Sequence, residues 1–261
     1  MLRAFNIIII IIAAVTLLAC GSMGKQAGSD SNSEPILIKK LSDITQAEYN
    51  AYKKYVKNSE AYVIVHPYYT LFSKPSKKLR RKLRKQPEVR EFVDRQVKIE
   101  NEFIESSVKE GSLVILVLPG DRYSNRYKAH LNNITQGARS VIYMHTKRKE
   151  SGNIDDDQLD TLGKFMDAIG VRSVIVGGGY IGRCQEMAYK DLSTIFGDEN
   201  IAISPEISSF SPSDITAATV KMFMQPDNQM NFKVISSYIK TMDNVSADKP
   251  ANIRNLNLRN N

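Results

Sequence analysis

The chain has 261 residues, 42 % apolar and 25 % charged, with 36 Lys and Arg against 28 Asp and Glu and a formal net charge of +8. That length holds one α/β domain and excludes two large ones, and the composition excludes a disordered or collagen-like chain. Its 2 cysteines, Cys20 and Cys184, exclude a disulfide-rich scaffold.

Met1-Leu2-Arg3 is a short basic start, and an apolar run from Ile7 to Ala19 follows it. The run is shorter than the about 20 residues that a membrane-spanning helix needs. Residues 1–19 therefore read as an export signal. They end in Leu17-Leu18-Ala19-Cys20-Gly21, which resembles the lipobox of bacterial lipoproteins. The resemblance implies that Cys20 becomes the lipidated first residue of the mature chain, its thiolate accepting diacylglycerol. The alternative is an anchor helix with a chance cysteine. Gly21 is similar to an outer-membrane sorting signal, so the expected location is the envelope, lipid-anchored and facing the periplasm. Acyl chains contribute about 0.8 kcal/mol per buried CH₂, so several hold far better than one. Processing would remove one charge, Arg3, and leave Cys184 as the sole unmodified thiol.

Residues 20–34 are small and polar and read as a flexible tether. Thr45-Gln46-Ala47-Glu48 predicts a capping box, followed by a helix with Tyr49, Tyr52, Tyr55 and Val56 on one face. Ala61 to Val65 is the first predicted strand. Lys74 to Lys85 then holds only basic residues among its charges. Leu79 and Leu83 share one helical face, so the stretch reads as a binder of an anionic leaflet. Its contacts would be Lys77, Lys78, Arg80, Arg81, Lys82, Arg84 and Lys85, with the leucines in the headgroup boundary. A solvated loop is the alternative. Export and the lack of interleaved aromatics argue against nucleic acid.

Pro87 opens a helix that Gly111 stops. Leu113 to Leu118 is a continuous apolar run, as in a strand buried on both faces. A helix from Tyr127 to Ile134, a strand from Val141 to Met144 and a helix from about Asp155 to Gly170 follow. Val174 to Val176 is the next strand, and a helix runs from about Cys184 to Phe196. Ile201 to Ile203 is the last strand, and Ser213 is placed as the cap of a helix from Asp214 to about Met224. The alternation predicts a three-layer α/β/α domain over residues 35–243 with a mainly parallel sheet. Residues 244–261 are Asn-rich and predict a frayed tail.

In such sheets ligands bind beyond the carboxyl ends of the strands. Those ends are predicted at His66, Pro119-Gly120-Asp121, His145, Gly177-Gly178-Gly179 and Ser204-Pro205-Glu206. Gly177-Gly178-Gly179-Tyr180-Ile181-Gly182 matches G-x-G-x-x-G after a strand, the context of a dinucleotide site. Only one clear strand follows it, however, and the candidate ribose acid, Glu206, stands in a predicted loop. Neither NAD nor FAD is expected, nor any other cofactor.

Gly178-Gly-Tyr-Ile-Gly-Arg-Cys184-Gln-Glu-Met-Ala-Tyr-Lys-Asp191 resembles the nucleophile segment of the isochorismatase-like cysteine hydrolases. Tyr62-Val-Ile-Val65-His66-Pro-Tyr-Tyr-Thr-Leu-Phe72 is similar to that family's first strand and turn, and Ile203 to Asp214 to its next strand and loop. The resemblance implies hydrolysis of a small amide or related C–N bond, with Cys184 as nucleophile. It also implies a non-proline cis peptide at Gly179–Tyr180 and an oxyanion site on the backbone there. The family's relay Asp is replaced by His66, and its lysine falls at Lys147 or Lys149. A thiol at a helix N-terminus favours thiolate, and a His can act as its base. The alternatives are a Cys184 that only packs under the sheet and histidines, His66 and His145, that line an inactive pocket. Two His and one Cys can also ligate zinc, but no spacing motif supports a metal.

Overall fold

The computed structural model of the chain describes residues 35–72, 74–120, 124–148, 151–242 and 251–258. The signal, Cys20, the tether, Asp121 and Lys149 lie outside the described residues. Among the described residues no helix is long and apolar enough to cross a membrane.

The chain begins with β1 (Lys39–Lys40) and a 3₁₀ turn closed by the expected capping box of Thr45 and Glu48. Then come α1 (Tyr49–Tyr52), β2 (Glu60–Val65), α2 (Tyr69–Phe72), α3 (Lys77–Lys85) and α4 (Pro87–Glu110). They are followed by β3 (Val114–Leu118), α5 (Asn125–Thr135), β4 (Val141–His145), α6 (Asp156–Ile169), β5 (Ser173–Gly179) and α7 (Cys184–Phe196). Finally come β6 (Ile201–Ser209), α8 (Ala217–Phe223) and α9 (Phe232–Lys240). The strands form one all-parallel sheet in the order β1-β4-β3-β2-β5-β6. All carboxyl ends therefore share one edge.

Strand side chains alternate between two layers, as period-two geometry requires. Val63, Val65, Ile115 and Val117 pack with Leu162, Phe165 and Met166 of α6 and Leu192 of α7. Ile64, Leu116 and Leu118 pack with Phe103 and Ile104 of α4 and Leu131 of α5. Each such fully buried side chain contributes about 1.5–3 kcal/mol. The helices thus cover both faces, and the fold is a three-layer α/β/α domain. Beyond the β6 edge, Phe92 of α4, Phe223 of α8 and Ile239 of α9 continue the core. Among the described residues, the buried apolar side chains run from Ile38 to Ala251. Residues 34–261 form one compact unit that carries this core.

The direction of winding reverses once. From β2 the chain steps outward to β3 and β4, then returns to the other side of β2 for β5 and β6. The switch point lies between β2 and β5, where an open α/β sheet leaves a crevice at its carboxyl edge.

Four readings of the sequence need correction. Ser204-Pro205-Glu206 is inside β6, not in a loop beyond it, and both Ser204 and Glu206 are buried. A register shift between Val176 and Gly178 lets β6 continue past the point where the apolar pattern ends, and an edge strand tolerates Pro205. Ser213 does not cap α8: the Thr216 side chain accepts the Thr219 N–H there instead. Residues 251–258 are not frayed: Ile253 pairs in parallel with Ile203. The Glu206 carboxylate accepts the Leu256 and Asn257 N–H groups at 2.8 and 3.3 Å.

The fourth correction concerns the basic stretch. It is helical, but Leu83 packs on the domain core and does not face outward. Lys82 also turns inward, donating to the Ser213 carbonyl at 3.1 Å and to that of Ile215. Both side chains are therefore engaged by the domain.

Candidate active site at the switch point

The chain leaves β2 through His66-Pro67-Tyr68, with φ of 46° at His66 and 60° at Tyr68. The His66 N–H donates to the Val117 carbonyl at 2.7 Å, which fixes the turn to β3. The imidazole is buried, and burial brings its pKa down to about 4, so it is neutral at pH 7. His66 Nε2 lies 3.4 Å from Thr146 Oγ1. That hydroxyl donates its one proton to the Arg148 carbonyl at 2.9 Å. The network therefore assigns the imidazole proton to Nε2 and leaves the lone pair on Nδ1.

The His66 ring stacks on Tyr69 at 5.8 Å, and Tyr69 meets the Tyr180 ring edge-on at 5.5 Å. This aromatic contact joins the turns after β2 and β5 across the crevice. The Gly179–Tyr180 peptide bond is cis, at the position implied by the resemblance. The Tyr180 carbonyl accepts the N–H groups of Arg183 and Gln185 at 3.0 and 3.3 Å, winding the chain into α7. Cys184 is the first residue of that helix and is partly exposed. Beside it, the Arg183 guanidinium grips Asp214 with two hydrogen bonds of 2.6 Å. The Asp214 hydrogen bond raises the Arg183 pKa.

The glycine run has a packing explanation. A Cβ on Gly177 would sit 2.6 Å from the Ile207 carbonyl oxygen, and one on Gly178 would sit 1.9 Å from that of Val65. Gly179 has Ser209 Oγ at 2.6 Å from its Cβ position. At these positions neighbouring strands leave no room for a side chain. Glu206, the acid considered for a ribose, instead holds residues 256–257.

The loop after β4 is laid over the start of α7. A Cβ on Gly152 would lie 1.8 Å from the Cys184 carbonyl oxygen. Asp191 Oδ2, two turns along α7, accepts the Ile154 N–H at 2.7 Å and Asn153 Nδ2 at 3.4 Å. Thus His66, Thr146, Tyr69, Tyr180, Gly152 and Cys184 belong to one edge. The His145 ring lies 5.4 Å from that of Tyr143, which packs with the layer of Ile64 and Leu116. Lys147 is 59 % exposed and pairs with Asp155 at 3.4 Å, at the start of α6. Among the described residues no three His, Cys, Asp or Glu side chains form a metal-binding group.

Thr146, Gly152 and Glu100 carry no sequence motif. Glu100 is buried on α4 and accepts the Tyr68 N–H, while its Oε1 has no partner. Burial pushes its pKa up to about 8, so the carboxyl is protonated at pH 7. The one available signal was a lone Glu in line with Phe92, Val93, Phe103 and Ile104 on the apolar face of a helix. Two concave regions of about 190 and 980 Å³ follow α4 instead and include neither Cys184 nor His66. The larger is lined in good part by exposed charged side chains, the smaller by Phe92, Val220 and Met224 beside Glu91 and Arg95, and both lie along α4, away from the switch point. No family model, curated protein or solved structure matches this chain.

Proposed function

We propose that this chain is a lipid-anchored envelope protein whose α/β domain hydrolyses a small amide or related C–N bond through Cys184. The observation that carries the reading is the place of Cys184, at the start of the helix after β5, and of His66, just past β2, the two strands that flank the switch point. The α7 N-terminus and Arg183 both favour a thiolate. His66 takes the Cys184 thiol proton as sulfur attacks the substrate carbon and passes it to the nitrogen as the C–N bond breaks. Water then hydrolyses the thioester to the carboxylic acid and regenerates the thiol. His66 serves as the proton relay in place of the family's Asp. Its pKa of about 4 is close to the about 3.9 of an ordinary Asp, so it exchanges protons over a carboxyl-like range.

Residues 34–261 contain Cys184 as their sole thiol, which makes the test direct. Iodoacetamide should label it at pH 6 at least about tenfold faster than a thiol of ordinary pKa near 8.5. A rate falling tenfold per unit from pH 8 to pH 6 would reject a poised nucleophile. A second reading, a non-catalytic domain that binds a small ligand, draws on the engagement of Lys147 with Asp155. Under it, Cys184→Ser would leave ligand binding intact.

Lipid anchoring follows from the sequence at Cys20. Intact mass of the membrane fraction should show a chain starting at Cys20 and carrying diacylglycerol. A chain starting at Met1, or an unmodified Cys20, would overturn that part of the reading.

A further inference from the structure

We infer that the outer face of α3 is an electrostatic docking surface for an anionic phospholipid bilayer. At 100° per residue, Lys77, Lys78, Arg80, Arg81, Arg84 and Lys85 occupy one arc of the helix, and all six are exposed. The opposite arc holds Leu79, Lys82, Leu83 and Gln86, each partly buried. Three attachments hold the helix in that orientation. Ser76 caps it by accepting the Leu79 N–H at 3.1 Å, Leu83 packs on the core, and Lys82 donates to the 213–215 carbonyls. Lys82 neutralises no acid here; its charge is spent on backbone oxygens.

The outer face holds no acid, and among the described residues none of its six cations is ion-paired. Elsewhere opposite charges are commonly matched, as in the four i,i+4 pairs of α4 and α6 and the i,i+4 pair of α7. A rigid, one-sign, nearly apolar-free face fits a fluid anionic surface, which needs no shape complementarity. It gives the Leu79 and Leu83 pair a role inside the domain and leaves attraction to the bilayer wholly electrostatic. The choice of a bilayer over another polyanion rests on the envelope reading above. The tether would allow the approach: 14 residues reach about 46 Å when extended.

The test uses residues 34–261 without any lipid, so its outcome does not depend on Cys20. Binding is measured by co-sedimentation with phosphatidylcholine vesicles, with and without phosphatidylglycerol. The domain should bind the phosphatidylglycerol vesicles and release as salt rises from about 0.05 to about 0.5 M. Replacing all six cations with Gln should weaken binding at least a hundredfold, since each contributes roughly fivefold near such a surface. The variant should keep its melting temperature, because among the described residues these side chains make no hydrogen bond or ion pair with the domain. A control replacing Lys53, Lys98, Lys109, Lys164, Lys221 and Lys233 should lose less than tenfold. Equal binding to neutral vesicles, an unaffected sextuple variant, an equal loss in the control or a preference for duplex DNA over phosphatidylglycerol would each overturn the assignment.

Discussion

Gly152→Ala is expected to destabilise the domain by about 3 kcal/mol and to change the alkylation rate of Cys184. The added methyl would lie 1.8 Å from the Cys184 carbonyl oxygen and 2.4 Å from its carbon. Both are backbone atoms in the first turn of α7, so no side-chain rotation relieves the clash. The loop cannot simply lift, because Asp191 holds the Ile154 N–H at 2.7 Å and the Lys147 N–H donates to the Asn153 carbonyl at 2.8 Å. Either the loop gives up these bonds or α7 moves with its thiol. Urea melts read the stability change, and iodoacetamide labelling reads the displacement of Cys184. A variant as stable as the wild type, with unchanged labelling, would show that the loop does not lie on α7. Asp191→Asn separates the two effects. It weakens the clamp without a clash, so it should reduce stability while leaving α7 in place.

This coupling was not legible in the sequence. Ser151-Gly152-Asn153 reads as a turn, and nothing in a turn signal names the element it touches. The strands, by contrast, were legible because β2 to β5 are buried on both faces and give unbroken apolar runs. β6 was read as three residues because Ser204, Pro205, Glu206 and Ser208 interrupt its pattern. Those polar groups are tolerated because the strand satisfies them locally, Ser204 Oγ donating to Glu206 at 2.9 Å and Ser208 Oγ accepting from Gln185 at 2.6 Å. The tail was misread for the same reason. Its Asn-rich composition lacks periodicity, yet Asn252 and Arg254 hydrogen-bond through their backbones to Ile203.

At the site, the sequence located Cys184 at a helix start and His66 at a strand end because both positions follow from element boundaries alone. It did not separate His66 from His145. Adjacent strands bring both to the carboxyl edge, and which face each ring takes depends on the strand's phase. Thr146, one residue beyond His145, takes the partnership with His66. Lys82 and Leu83 show the converse limit. Helical period correctly grouped Leu79 with Leu83, but a hydrophobic stripe is equally suited to lipid and to a domain core. Only the contacts with α4's layer and the 213–215 carbonyls decide between them.

The domain is expected to lose about 1 kcal/mol of stability between pH 6.5 and pH 8, and Glu100→Gln is expected to abolish that loss. Glu100 has a pKa of about 8 in the folded chain against 4.5 without burial. Above pH 4.5 the unfolded chain releases this proton while the folded chain keeps it. The stability tied to Glu100 is therefore complete below pH 4.5 and is lost as pH rises toward 8. His66 acts oppositely. Its pKa is about 4 folded against 6.5 unfolded, so its contribution is present above pH 6.5 and is lost as pH falls toward 4. His130, also lowered by burial, adds to the His66 trend on the acid side. Between pH 4.5 and 6.5 the Glu100 and His66 slopes offset one another, and the stability profile is flat or rises slightly. Above pH 6.5 the unfolded histidines lose their remaining protons and Glu100 dominates the slope, which is at most about 1.4 kcal/mol per pH unit and halves at its folded pKa. Gln at position 100 can still accept the Tyr68 N–H through its carbonyl oxygen, so the turn that carries His66 is kept. Thermal melts should show the wild type falling by about 3 °C from pH 6.5 to 8, with Glu100→Gln showing no fall across that window. The same fall in both proteins would mean that Glu100 is ionised in the fold and that another group sets the slope. His66→Asn supplies the complementary reading: with the opposing histidine removed, the Glu100 decline should begin two pH units earlier, near 4.5.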